Sequence, residues 1–198
     1  IKGRNFAHFR TWTVDFGPTE WDDRDVWAEL ESYLAKNDVR AAAGLLRHYL
    51  EHFAKEACDR LRANVEFRGD AQFMLGDLLP NATSSLGELL KKAKVAANSW
   101  NQTDVVERIS GIEVAFGEAK TKTGYENWQI NAAVHFNEWA DLKKEDFAPV
   151  VTAFRAFIGA FGCNTCNEMY FVAPDRGKKE ALRCGCGSLN LNLLQKGG

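Results

Sequence analysis

The sequence predicts a mainly α fold: a helical bundle with a short extended arm ahead of it and a small β-rich module behind. Three observations carry that prediction. Apolar residues recur at i, i+3/i+4 spacing through most of residues 22–162, the pattern of helices with one buried face. Residues 1–21 alternate apolar and polar positions instead. The last stretch, 163–198, changes character and holds four of the five cysteines. At 198 residues, 45% hydrophobic and 26% charged, the chain is long and apolar enough to bury a sizeable core.

In residues 1–21, Trp12, Val14 and Phe16 alternate with polar neighbours up to Gly17-Pro18, which reads as one strand or extended arm leading in from an upstream domain. A helix follows over 22–36, with Asp22 and Asp23 at its start and Val26, Trp27, Leu30, Tyr33 and Leu34 as its stripe. Asn37-Asp38 breaks it and caps the next. The longest stripe, Ala42, Leu46, Tyr49/Leu50, Phe53, Ala57 and Leu61, predicts a helix from about Val39 to Val65. Residues 67–83, with Gly69, Gly76 and Pro80, read as an irregular connection, and 85–97 as an amphipathic helix on Leu86, Leu89, Leu90 and Ala93. Asp104-x-x-Glu107 resembles a capping box opening a helix to about Phe116. A Gly/Thr/Lys loop is expected at 117–124, then a helical segment at 126–140. Asp146 is expected to cap the last helix, with Pro149 in its first turn and its end near Gly162.

The tail carries Cys163-x-x-Cys166 and Cys184-x-Cys186, with 17 residues between the pairs. Zinc takes four thiolates in a tetrahedron, and a C-x-x-C turn aims two sulfurs at one point. Gly185 and Gly187 allow a tight second turn. A strand at Tyr170-Phe171-Val172, a turn at Pro174-Asp175-Arg176-Gly177, a return strand and a last strand in Leu189 to Leu194 complete the layout of a zinc ribbon. Cys163, Cys166, Cys184 and Cys186 are the expected ligands of one structural Zn2+, leaving Cys58 aside. Unpaired cysteines in this spacing fit a reducing, cytoplasmic compartment. Arg176, Lys178, Lys179 and Arg183 on the hairpin are either a solvated face or a nucleic-acid contact.

A net charge of −2 excludes bulk cationic attraction to nucleic acid or membrane and leaves a local patch open. No stretch approaches the length of apolar chain that a membrane helix needs. There is no phosphate loop, no G-x-S-x-G and no dinucleotide fingerprint.

The segment Arg47-His48-Tyr49-Leu50-Glu51-His52 supports three readings. His48-x-x-Glu51-His52 matches the H-x-x-E-H of inverted zinc peptidases, with both histidines on one helical face. Arg47-x4-His52 resembles the active-site signature of HEPN ribonucleases. Arg47 and Glu51 are also simply four apart and suited to a surface ion pair. On a regular helix Arg47 and His52 point about 140° apart, so they converge only through a kink or across a homodimer.

Ala42-Ala43-Gly44-Leu45-Leu46-Arg47-His48-Tyr49-Leu50-Glu51, followed much later by Asn131-x-x-x-His135, is similar to HEPN-like helical domains at the C-terminal ends of large bacterial ATPases of the ABC/SMC-like kind. These include phage-defence and anticodon-nuclease relatives. Trp12-x-Val14-x-x-Gly17-Pro18 looks like the strand leaving such an ATPase head. The resemblance implies an effector or interaction domain that binds RNA, DNA or a partner protein and is coupled to an ATPase domain upstream in the same chain. Its alternative is metal-independent RNA cleavage by Arg47 with His52 or His135, with Asn131 beside the latter.

Overall fold

A computed structural model describes residues 9–13, 17–20, 23–66, 73–134, 143–175 and 178–197. Among them, five helices form a bundle that ends in a small antiparallel sheet. The extended arm is a hairpin rather than one strand: β1 (Phe9–Thr13) pairs antiparallel with β2 (Gly17–Glu20). Gly17-Pro18, expected to end the arm, begins its second strand, and Pro18 sits opposite Trp12. In a sheet of two strands both are edges, so the missing proline N–H costs no interior ladder bond.

Helix α1 (Asp23–Ala35) buries Val26, Leu30 and Leu34, and α2 (Val39–Leu61) buries its whole expected stripe. Asn37 takes a left-handed conformation (φ 57) that closes α1, and the Asp38 carboxylate then accepts the Ala41 N–H at 3.0 Å to open α2. Helix α2 is the hub, packing on α1, α3, α4 and α5.

Helix α3 (Leu75–Ser99) starts ten residues ahead of Ser85, overturning the irregular connection expected through 83. The Asp77 carboxylate accepts the Met74 N–H at 2.9 Å, and Leu75, Leu78, Leu79 and Ala82 continue the buried stripe backwards. Pro80 stands in the second turn, where it deprives the Gly76 carbonyl of its partner. Both residues are exposed, so water can take that bond.

Helix α4 (Thr103–Val134) runs unbroken through the loop expected at 117–124. Phe116, Ala119 and Thr123 are buried at helical spacing, and the Thr121 and Thr123 hydroxyls donate to carbonyls of the turn before. Burial of that face overrides the weak helix propensity of the Gly/Thr run. The helical segment expected at 126–140 is covered only to residue 134, because 135–142 lie outside the described residues.

Helix α5 (Lys144–Gly159) has Asp146 at its third position, accepting the Lys143 N–H at 3.4 Å. Pro149 falls one turn later than expected, again on an exposed face. The phenylalanines of α5 and its exit form the densest part of the core. Phe161 meets Phe53 edge-on at 5.1 Å and Phe116 at 5.4 Å.

Strands β3 (Phe171–Asp175), β4 (Lys178–Arg183) and β5 (Asn190–Asn192) form an antiparallel sheet in that order, as expected of the tail. Strand β3 packs on α2, and β4 and β5 pack on α3. Tyr170, Val172, Leu182, Leu189, Leu191 and Leu193 join the same hydrophobic core as the helices.

Candidate functional site

Each cysteine pair sits in a turn closed by its own backbone. Phe161 and Tyr170 flank the first turn: the Tyr170 N–H donates to the Phe161 carbonyl at 2.9 Å and the Cys163 N–H to the Glu168 carbonyl at 2.9 Å. Asn167 takes the left-handed conformation (φ 58) that lets the chain reverse after Cys166. In the second turn the Cys184 N–H donates to Leu189 at 3.1 Å, and Gly187 holds the positive φ of 75. The Glu168 carboxylate, exposed and flexible, folds over Gly185 from the first turn.

These turns bring together the four sulfurs of Cys163, Cys166, Cys184 and Cys186, all within 4.8 Å of one another. Cys163 and Cys186 are 3.8 Å apart and Cys184 and Cys186 3.5 Å, far beyond a disulfide bond. A metal bound tetrahedrally at about 2.3 Å sets sulfurs about 3.8 Å apart, so the donor set fits. Among the described residues this is the one cluster of three or more such groups able to hold a metal ion.

Polar groups surround the sulfurs. The Thr165 N–H donates to Cys163 at 3.4 Å and the Leu189 N–H to Cys184 at 3.1 Å. The Ser188 hydroxyl lies 3.0 Å from Cys163, 3.2 Å from Cys186 and 3.4 Å from Cys184. That hydroxyl first, then the backbone N–H groups of Thr165 and Cys166, bring the Cys163 thiol down to about 5. Ser188 is the residue that cysteine spacing alone does not reveal. Its carbonyl accepts from Arg108 of α4 at 2.9 Å, fastening the second turn to the bundle. Cys58 stands apart, as expected: it is buried in α2, donates to the Leu78 carbonyl at 3.3 Å, and burial raises its thiol pKa.

The residues around His52 separate by helix face. Arg47 donates to Glu51 at 3.1 Å, as the ion-pair reading expects, with His48 3.8 Å from the same carboxylate. Helix α2 is unbroken between Arg47 and His52. His52 instead lines a groove of about 900 Å3 between α1, α2, α5 and the first cysteine turn. Glu56 and Arg60, one and two turns on, line it as well, and Arg155 of α5 lines the far wall. Arg60 pairs with Glu56 at 2.7 Å, while Arg155 lies over the Trp27 ring at 5.4 Å. Asn131 falls on the helical backbone of α4 with its side chain outside the description, and His135 lies outside the described residues. Of the four basic residues expected on the hairpin, only the Arg183 side chain is described.

No helix among the described residues is long and apolar enough to cross a membrane. Comparison of the chain with protein-family models, curated proteins and solved structures finds no match.

Proposed function

We propose that the chain is an interaction domain, a helical bundle locked at one end by a structural zinc ion, that engages nucleic acid or a partner protein. The observation that carries this reading is the closed quartet of sulfurs seated on the same core as the helices. Zinc bound there cross-links the two turns and, with four thiolates, keeps no position open for substrate. Cys163 and Cys184 anchor the site from the buried side, Ser188 and the backbone N–H groups temper its negative charge, and Arg108 ties it to α4. The likeness of residues 42–51 to HEPN-like domains supports placing the chain as the effector end of a defence-type ATPase.

The zinc assignment is tested by metal content. Cys163→Ser and Cys186→Ser are expected to lose the one equivalent of zinc and loosen the tail, and Cys58→Ser to keep it. Full metal in either of the first two variants would refute the site.

A second reading, metal-independent RNA cleavage, is favoured by the groove that holds His52 with Arg60 and Arg155. There His52 would carry the proton and a guanidinium would face the phosphorane charge. Total bacterial RNA incubated with the wild type, Arg47→Ala, His52→Ala, Arg60→Ala and His135→Ala decides between the two. Intact RNA in every lane is the outcome expected of an interaction domain. Cuts that vanish in folded variants would make the protein a ribonuclease.

A further inference from the structure

A second groove, of about 560 Å3, is lined by residues of β4, β5, the end of α3 and the start of α4. Its lining is chemically unusual. Gln102, Asn190, Asn192 and Gln195 line it, together with Arg183, Trp100 and several small apolar residues. Strand register explains how: Arg183 stands opposite Asn190 and Ala181 opposite Asn192, while Leu182 and Leu191 point the other way into the core. Asparagine is disfavoured in strands, so two on alternate positions of a three-residue strand work against its local stability.

The polar groups are held in place. Asn190 accepts from the Arg183 Nε at 2.8 Å, and Asn192 accepts the Leu194 N–H at 2.9 Å, leaving both amide NH2 groups as donors. Trp100 is 43% exposed, yet its orientation is fixed by an indole N–H bond to the Leu194 carbonyl at 3.0 Å. The Lys196 ammonium lies over one face of the ring, 5.9 Å from its centroid. In the lining one cation, Arg183, is matched by one acid, Glu180, and Lys196 beside Trp100 adds a second cation at its edge.

We propose that this groove binds single-stranded nucleic acid. Trp100 is the stacking platform, the carboxamides of Gln102, Asn190 and Asn192 meet base edges, and Arg183 and Lys196 meet the phosphates. The NH2 groups of Asn190 and Asn192 can donate to acceptors on base edges, and an exposed, immobilised ring stacks on any base. A neutral sugar would use the ring and the amides but would not complement the charge of Arg183 and Lys196. The inference rests on the nucleic-acid half of the reading above and names its ligand and its place.

The test is fluorescence anisotropy of a labelled single-stranded RNA of about ten nucleotides, within the span of such sites, titrated with the zinc-loaded 198-residue chain. Binding is expected, weaker for the matching duplex, with a shallow salt slope of about −1.4 for two phosphate contacts. Asn192→Ala and Arg183→Gln each weaken it, and Trp100→Leu does so by about tenfold while Trp100→Phe keeps most of it. Should Trp100→Leu lower the melting temperature, Asn192→Ala and Trp100→Phe decide. Equal affinity for duplex, or binding unchanged in these variants, overturns the groove and leaves the nucleic-acid reading standing. No binding by the wild type overturns both.

Discussion

Cys163 shows how a single residue acquires its chemistry from its neighbours. Its thiol is held at about 5, first by the Ser188 hydroxyl and then by the backbone of its own turn. The sign of the consequence follows: the folded chain holds a thiolate where the unfolded chain, with an ordinary value of 9.0, holds a thiol. The contribution to folding is therefore complete above about pH 9 and is lost as pH falls towards 5. In the metal-free chain, acidification across that window should broaden the tail's near-UV signal, which circular dichroism would follow. A near-UV signal that does not change in the metal-free Ser188→Ala variant over the same range would show that Ser188 does not set the thiol. The four ligands were legible because a C-x-x-C turn is a local geometry written in four letters. Ser188, Arg60 and Arg155 were not, since what they do depends on which distant residues the fold brings against them.

At the scale of elements, three helices end by the same device without glycine. Asn37, Arg62 and Asn101 take the left-handed conformation, at φ of 57, 51 and 56, and each is followed by an N–H that reaches back into the last turn. Asparagine tolerates that conformation and arginine does not. Arg62→Gly should accordingly stabilise the protein by about 1 kcal/mol in a denaturant titration. A loss of stability would mean that the Arg62 side chain contributes more than its backbone costs. Helix existence was legible from the stripes, and the Asp38 cap from its residue type. The early start of α3 and the continuity of α4 were not, because Pro80 and the Gly117-to-Thr123 run look like breaks to any local rule. Buried Leu78 and Ala119 decide the matter from across the core, which no local window contains.

Over the whole molecule, the cysteine module and the bundle share one apolar interior, with Phe161 at the junction. It touches Phe53, Phe116 and Phe157 and is two residues from Cys163. Phe161→Ala should cost about 3–5 kcal/mol and bring metal release and helix melting into the same lower-temperature transition. Helix loss with metal still bound would show that the two parts fold independently. The mainly helical class was legible from composition and period alone. The shared interior was not, since a change of character at residue 163 reads as a boundary, whereas the tail's leucines complete a core begun at Val26.

The two cysteine turns also decide how the chain bears load. Cys163 and Cys186 are 23 positions apart, and everything between them, including the β3–β4 hairpin, lies within a closed ring once a metal joins their sulfurs. Tension applied at the two ends passes through the ring's neck and bypasses its contents. Those residues hide about 80 Å of contour length from a pulling experiment until a metal–sulfur bond yields. Pulling on the C-terminal end would therefore strip β5 and the tail before it reached the hairpin.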